Sequence, residues 1–128
     1  MVKVTKGKVL LIAEDDEILL RALYLLFHEG GFTIASAGDG ETALKMTERL
    51  KPDLVLLDLL MPKMNGFDYL RDVKGNPELK GIPVIVLSNL GDRDDIEKAK
   101  GLGADDYYVK SDTDLSVLFD KVKKKLES

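Results

Sequence analysis

The sequence predicts an α/β fold, with one parallel sheet of five strands and five helices packed on its two faces. Three observations support this prediction. Short apolar runs alternate five times with segments whose apolar residues recur at the spacing of a helix. Several of the apolar runs are continuous rather than alternating, as expected for strands that are covered on both faces. Strands that alternate with helices are typical of βαβ units, whose crossovers are right-handed.

The first half of the chain contains three predicted strands and two predicted helices. The strands are Lys8–Ala13, Phe32–Ser36 and Leu54–Leu57. The helices run from Asp16 or Glu17 to His28 and from Gly40 to Lys51. The first helix has an apolar stripe formed by Leu19, Leu23, Leu26 and Phe27. Gly30 and Gly31 are expected to end that helix, and Pro52 to stop the second one.

The second half continues the same alternation. The predicted strands are Val84–Leu87 and Tyr107–Val109. The predicted helices are Gly66–Val73, Asp92–Leu102 and a last helix with its apolar stripe at Leu115, Leu118, Phe119, Val122 and Leu126. The turn signals Gly75-Asn76-Pro77 and Gly81-Ile82-Pro83 bracket a surface loop before the fourth strand.

Length and composition indicate one domain. The chain has 128 residues, of which 45% are hydrophobic and 33% charged, so residues 1–128 are expected to form a single domain with a core from about residue 8 to 127. No apolar stretch is long enough to span a bilayer and no signal peptide precedes the first strand, so we expect a cytoplasmic protein without membrane contact. The absence of cysteine suits a reducing compartment. The net charge of -4 argues against direct binding of nucleic acid.

Polar residues follow four of the predicted strands. Glu14 and Asp15 follow the first, Asp58 the third, Ser88 the fourth and Lys110 the fifth. If the strand order is 2-1-3-4-5, the first and third strands are neighbours where the winding direction reverses, and their acidic ends share one crevice. Ligands bind at this edge in open α/β sheets. The four groups then line one edge of the sheet.

A crevice that holds three carboxylates requires a compensating cation, because mutual repulsion otherwise raises their pKa values. Mg²⁺ is such a cation, since it prefers oxygen ligands and is usually held by one or two carboxylates with water and phosphate oxygens. With the ion present, the Asp58 carboxylate can act as a nucleophile toward a phosphoryl group. Lys110 can pair with phosphoryl oxygens, and the Ser88 hydroxyl can donate a hydrogen bond to one of them.

Four features also have simpler structural explanations. Asp16 is a favoured residue for an N-cap, and we expect it to cap the first helix rather than to bind an ion. His28 fits a helix end, where the dipole favours a cation. Tyr107 can serve in packing alone, since tyrosine is common in strands. The lysines near the end of the last helix fit a solvated helix end better than a nucleic-acid site; they are Lys121, Lys123, Lys124 and Lys125.

Taken together, these residues resemble the receiver domains of two-component response regulators. The matching features are Glu14-Asp15, Asp58 with Met61-Pro62-x-Met64-x-Gly66, Ser88, and Tyr107 with Lys110 in Gly103-Ala104-Asp105-Asp106-Tyr107-Tyr108-Val109-Lys110. Each motif is weak alone, but their order and spacing cover nearly the whole chain. The resemblance implies the doubly wound, flavodoxin-like receiver fold.

The resemblance also implies a chemical role for this site. Asp58 would accept a phosphoryl group from a sensor histidine kinase or a phosphotransfer protein. Mg²⁺ (or Mn²⁺) would be bound by Asp15, Asp58 and the backbone carbonyl of Leu60, with Glu14 acting through water. The protein would assist its own phosphorylation and dephosphorylation but would not be an enzyme that turns over an external substrate.

The same resemblance implies a switch. Phosphorylation would draw Ser88 toward the phosphate and let Tyr107 turn inward, which would change the surface of the fourth helix, fifth strand and fifth helix. The covalent phosphoryl group carries about −1.5 to −2 charges, which can shift the balance between two conformations of such a surface. The partner at this surface would be an unknown downstream protein, an output domain or a second copy of the chain, since this face is a common dimer face in the family.

The sequence departs from the family pattern at three places. Ser111 follows Lys110 where the family commonly has proline after a cis bond, so the bond here is either trans or held under strain. Asn89 stands where a small residue is usual, and can either narrow access to the phosphate or hydrogen-bond to it. Leu60 and Leu90 occupy the positions that resemble the family's tuners of dephosphorylation. As a hypothesis, these two apolar groups hinder an attacking water and lengthen the phosphorylated lifetime.

Other functions remain as alternatives at this stage. One is a receiver-like binding module that works without phosphorylation, and another is the receiver fragment of a longer DNA-binding regulator. A flavodoxin-like FMN protein is disfavoured, because the acids at 14–16 replace the phosphate loop that would hold the anion. A phosphatase of the aspartyl-phosphate kind would need a second acid two residues after its nucleophile, where this chain has Leu60.

Overall fold

The computed structural model describes residues 6–127 and has one parallel sheet in the order β2-β1-β3-β4-β5. The strands are β1 (Val9–Ala13), β2 (Thr33–Ala37), β3 (Leu54–Leu57), β4 (Val84–Ser88) and β5 (Asp106–Val109). The helices are α1 (Glu17–Glu29), α2 (Gly40–Leu50), α3 (Gly66–Lys74), α4 (Arg93–Gly101) and α5 (Leu115–Glu127). The predicted fold class and strand order are confirmed. Residues 1–5 and 128 of the predicted domain lie outside the described range.

The core consists of two apolar layers, one on each face of the sheet. Alternate residues of the central strands point to opposite faces: Leu11 packs with α2, α3 and α4, whereas Leu10 packs with α1 and α5. The central strands β3 and β4 are buried along their whole length, which explains their continuous apolar sequences.

Element boundaries differ from the predicted ones by at most one residue at either end. The second strand begins at Thr33 because the Phe32 N–H donates to the Phe27 carbonyl, which keeps Phe32 in the turn that ends α1. The Phe32 ring packs instead against Phe27 and Phe119. A short 3₁₀ turn, Lys110–Asp112, follows β5 and was not predicted from the sequence.

Helix α4 is the least firmly packed of the five helices. Ala99 is its one buried residue, and the N-cap residue Asp92 makes no side-chain cap hydrogen bond. The Lys98 ammonium lies 4.3 Å from the centre of the Phe67 ring of α3, an exposed cation–π contact. By contrast, α3 buries Tyr69, Leu70 and Val73.

Within residues 6–127, every helix is too short or too polar to cross a lipid bilayer.

Candidate functional site

The strand order brings the two acidic segments together. Ala13, the last residue of β1, is paired with Leu57, the last residue of β3. The backbone N–H of Asp58 donates to the Ala13 carbonyl at 2.9 Å, so the ladder continues to the residue that carries the carboxylate. Glu14 follows at the same edge, with its N–H bonded to the Ala37 carbonyl of β2 at 2.9 Å.

Three carboxylates lie close enough to bind one ion. Glu14, Asp15 and Asp58 each offer an oxygen, and these three oxygens lie within 4.8 Å of one another. Glu14 and Asp58 are buried, whereas Asp15 is exposed and makes no hydrogen bond or ion pair within residues 6–127. This all-oxygen donor set suits Mg²⁺ or Mn²⁺, because hard divalent cations prefer carboxylate ligands.

Lys110 supplies a positive charge to the same pocket. Its Nζ atom lies 2.7 Å from Oε1 of Glu14 and 3.2 Å from Oδ2 of Asp58. Burial alone lowers the pKa of Lys110, but the Glu14 and Asp58 carboxylates outweigh this effect and hold the pKa above its usual value. The Lys110–Ser111 peptide bond is trans, like every peptide bond in residues 6–127.

Glu14 has partners on both of its carboxylate oxygens. Oε1 pairs with Lys110, and Oε2 accepts the backbone N–H of Asp16 at 3.0 Å. Burial raises the pKa of Glu14 above its ordinary value, and these two contacts offset only part of that rise. Asp16 lies outside the group of three carboxylates: its Oδ1 accepts the backbone N–H groups of Ile18 and Leu19, so it caps α1.

Asp58 is 5% exposed and faces the rim of the sheet. Its Oδ1 accepts the backbone N–H of Leu60 at 3.3 Å, while Oδ2 contacts Lys110. Leu60 itself is 53% exposed. A role for the Leu60 carbonyl in ion binding stays a prediction.

The loop after Asp58 is held by close backbone contacts. A Cβ atom on Gly40, the first residue of α2, would lie 1.8 Å from the Met64 carbonyl oxygen, and the Gly40 N–H donates to the Pro62 carbonyl. Lys63 in this loop has a φ angle of 68°, an uncommon value for a residue with a side chain. The sequence motif identified Gly66 of this loop, but it gave no sign that Gly40 supports the loop from another helix.

Ser88 ends β4 and is fully buried. Its Oγ accepts the backbone N–H of Leu90 at 3.3 Å, which folds the β4–α4 loop back toward the strand. Asn89 lies between them and is exposed. Ser88 is therefore at the same edge of the sheet as the carboxylates, while Asn89 lies at the outer surface of the site.

Tyr107 connects β5 to the same loop. Its hydroxyl donates a short hydrogen bond to the Leu90 carbonyl. Burial raises the pKa of Tyr107, and the negative charges of Asp95 and Asp58 add to the rise. The Leu90 backbone is thus held from two sides, by Ser88 at its N–H and by Tyr107 at its carbonyl.

A comparison with models of known protein families identifies a receiver-domain match over most of this chain. Residues 10–123 match the response regulator receiver domain. This range contains every residue of the site described above.

Among curated proteins, the chain is 39% identical over 101 residues to the DNA-binding response regulator MtrA of Mycobacterium tuberculosis, a match that covers 79% of this chain and 43% of MtrA. It is 39% identical over 103 residues to the transcriptional regulatory protein AfsQ1 of Streptomyces coelicolor, which covers 79% of this chain and 44% of AfsQ1. The chain thus spans less than half the length of these curated relatives.

Solved structures of response regulators are also similar to this chain. The BeF3-activated N-terminal receiver domain of Klebsiella pneumoniae RstA matches with a TM-score of 0.86 at 26% identity, over 94% of this chain and 100% of that one. The Mn(2+)-bound form of the response regulator Rcp1 matches with a TM-score of 0.80 at 31% identity, over 92% of this chain and 91% of that one.

Proposed function

This chain belongs to the family of response regulator receiver domains, and from this premise we propose that Asp58 is the phosphoacceptor of a signalling switch. The donor would be a histidine kinase or a phosphotransfer protein. The observation that carries the proposal is the grouping of Glu14, Asp15 and Asp58 oxygens within 4.8 Å, with Lys110 in contact with Asp58. Residues 1–128 are proposed to form one receiver domain.

In the proposed reaction, an oxygen of Asp58 attacks the phosphorus atom of a phosphohistidine. The new O–P bond forms an acyl phosphate, and the P–N bond breaks with the electron pair returning to the imidazole. Asp58 is suited to this role because its carboxylate lies at the rim and is fixed by Leu60 N–H and Lys110. Lys110 would stabilise the charge on the phosphoryl oxygens, and Ser88 would donate its hydroxyl hydrogen to one of them.

The proposed ligands of the divalent ion are Asp15, Asp58 and the Leu60 carbonyl, with Glu14 in contact through water. When bound, Mg²⁺ or Mn²⁺ would neutralise the acidic pocket so that an anionic phosphoryl group can approach. Asp15 is the best placed of these residues to bind an ion from solution, since its carboxylate is exposed and without a protein partner in the described chain.

We propose that phosphorylation of Asp58 is transmitted to the protein surface through the backbone of Leu90. A phosphoryl group that recruits the Ser88 hydroxyl would take it from the Leu90 N–H, while Tyr107 holds the Leu90 carbonyl. The β4–α4 loop would then move together with the surface of α4, β5 and α5. Asn89, which is exposed, would contact the phosphoryl group or limit access to it.

The partner at that surface is proposed from the relatives. MtrA is named as a DNA-binding regulator and is more than twice as long as the matched segment, so a second candidate function is the receiver portion of a longer DNA-binding regulator. A separate downstream protein or a homodimer would use the same surface. This domain itself is proposed to bind no nucleic acid, to catalyse no reaction of an external substrate and to act in the cytoplasm.

The test is a measurement of intact mass after incubation with Mg²⁺ and acetyl phosphate. We expect one phosphoryl adduct on the wild-type chain and on the control variant Asp112→Asn, which removes an exposed carboxylate outside the site. The adduct should be absent from Asp58→Asn. If the wild-type chain gains no adduct, the proposed function fails and the phosphorylation-independent binding module takes its place.

A further inference from the structure

Glu14 and Lys110 form the shortest contact between two side chains of the site. The Glu14–Lys110 distance of 2.7 Å is typical of a charge-assisted hydrogen bond, whereas the Asp58–Lys110 distance is 3.2 Å. Glu14 is 3% exposed, so little water competes for this contact. Lys110 is therefore held more closely by Glu14 than by the residue proposed to carry the phosphoryl group.

The backbone around Lys110 fixes the start of the lysine side chain but not its far end. The 3₁₀ turn Lys110–Asp112 is closed by a hydrogen bond of 3.5 Å from the Thr113 N–H to the Lys110 carbonyl and by one of 2.8 Å from the Thr113 hydroxyl to the Val109 carbonyl. Ser111 and Asp112 are exposed. A flexible four-carbon side chain that starts from such a turn needs a partner at its far end to keep one position.

The opposite end of the contact is rigid. Oε2 of Glu14 is bonded to the Asp16 N–H, and the Glu14 N–H continues the sheet by bonding to the Ala37 carbonyl. One carboxylate thus connects the lysine to the end of β1. An ammonium group has three N–H donors, of which Glu14 and Asp58 use two, and the third remains for a phosphoryl oxygen.

We propose that Glu14 is a positioning residue that acts mainly through Lys110: it fixes the ammonium where a phosphoryl group on Asp58 will meet it. This inference rests on the proposed function and assigns Glu14 a task beyond its water-mediated contact with the ion. The length of the glutamate side chain, one methylene more than aspartate, is needed for this contact. Aspartate at this position would withdraw the carboxylate by about 1.5 Å, one carbon–carbon bond length, and could not keep both contacts.

The functional test is a double-mutant cycle of Glu14→Gln and Lys110→Gln. The rate of phosphorylation by acetyl phosphate is measured at saturating Mg²⁺, which removes any effect on ion affinity. We expect Glu14→Gln to slow the rate about 10- to 100-fold, because a misplaced catalytic group costs this much. In the Lys110→Gln background the same change should have almost no effect. Glu17→Gln, at an exposed acid one turn away, is the matched charge control.

Two outcomes overturn the inference. One is a Glu14→Gln effect of equal size with and without Lys110, and the other is a wild-type rate in Glu14→Gln at saturating Mg²⁺. Either would show that Glu14 does not act through Lys110. If Glu14→Gln does not fold, Glu14→Asp takes its place in the cycle with the same expected pattern.

A second readout does not depend on phosphorylation. The Lys110 ammonium protons should exchange slowly with water in NMR spectra of the wild-type chain and of Glu17→Gln, and rapidly in Glu14→Asp. Unchanged slow exchange in Glu14→Asp would refute the proposal that Glu14 holds the Lys110 ammonium group. If the wild-type chain takes no phosphoryl group, the proposed function fails, but the exchange measurement still decides whether Glu14 holds Lys110.

Discussion

A Cβ atom on Gly66 would lie 2.6 Å from the backbone carbonyl oxygen of Asp58. The first turn of α3 therefore rests directly on the backbone of the proposed phosphoacceptor. The Gly66 N–H also donates to the Leu59 carbonyl at 2.9 Å, which closes the loop between them. This contact is the physical reason for a glycine at the end of the Met-Pro-x-Met-x-Gly motif.

Gly66→Ala is expected to destabilise the fold by about 1–3 kcal/mol, the usual cost of overpacking. Because the strain falls on Asp58 and Leu59, Mg²⁺ affinity should fall as well. Urea unfolding and calorimetric titration with Mg²⁺ measure the two effects. Gly81→Ala is the control, since a Cβ atom there meets no atom within 4 Å. Equal stability of the two variants would contradict the close contact.

Tyr69 should make stability fall at high pH. Burial raises the pKa of its hydroxyl to about 12, with a hydrogen bond to Thr47 only partly opposing the shift. The folded state therefore keeps the proton between pH 10 and 12 while the unfolded chain loses it, and stability declines across this window by about 2–3 kcal/mol. Below pH 10 the contribution is fully present.

Urea unfolding of wild type and Tyr69→Phe at a series of pH values tests this expectation. The variant should lose about 1 kcal/mol near neutral pH, because Thr47 loses a buried hydrogen-bond partner. Above pH 10 the difference between the two proteins should shrink or reverse. Tyr24→Phe, at a half-exposed position, should follow the wild-type curve. If wild type and Tyr69→Phe differ by the same free energy of unfolding at all pH values, the raised pKa of Tyr69 is refuted.

Lys63→Gly should stabilise the protein. The φ angle of 68° at Lys63 costs a residue with a side chain about 1–3 kcal/mol, while glycine loses about 0.5–1 kcal/mol of chain entropy on folding. We expect a net gain of about 0.5–1 kcal/mol in urea unfolding. Lys80→Gly, in an exposed turn without a positive φ, should lose stability instead. Changes of the same sign in both variants would argue against strain at Lys63.

Leu60→Asn should shorten the lifetime of phosphorylated Asp58. The Leu60 backbone N–H contacts the Asp58 carboxylate and the Leu60 side chain is half exposed, so an amide at this position can orient an attacking water that leucine would exclude. The loss of the phosphoryl adduct over time, followed by intact mass, should be several-fold faster than in the wild type. The control is Leu50→Asn, which changes an exposed leucine at the end of α2 and should leave the lifetime unchanged. An unaltered lifetime in Leu60→Asn would remove Leu60 from control of dephosphorylation.

The sequence was sufficient to predict the fold and the grouping of the acids. Parallel strands end at a common edge, so residues that follow β1 and β3 meet once the order 2-1-3-4-5 is adopted. The proximity of Asp15 and Asp58 follows from the same rule. Asp16 as the cap of α1 was also predictable, because capping is a local interaction.

Contacts between segments that are distant in the chain could not be predicted in this way. The support that Gly40 gives to the loop at Met64 depends on the packing of α2 against that loop. The contact between Oε1 of Glu14 and Lys110 depends on where β5 ends, because Lys110 directly follows that strand. The hydrophobic pattern carries no information on either contact.

Helix α4 follows the loop that Ser88 and Tyr107 hold at Leu90, and it is joined to the core through Ala99. Apolar burial contributes about 25 cal/mol per Å², so shifting a helix with one small buried side chain costs far less than shifting α3 with its tyrosine, leucine and valine. Of these two helices, α4 is therefore the one whose displacement exposes less buried apolar surface. An electrostatic gain at the rim would therefore have little buried packing of α4 to overcome.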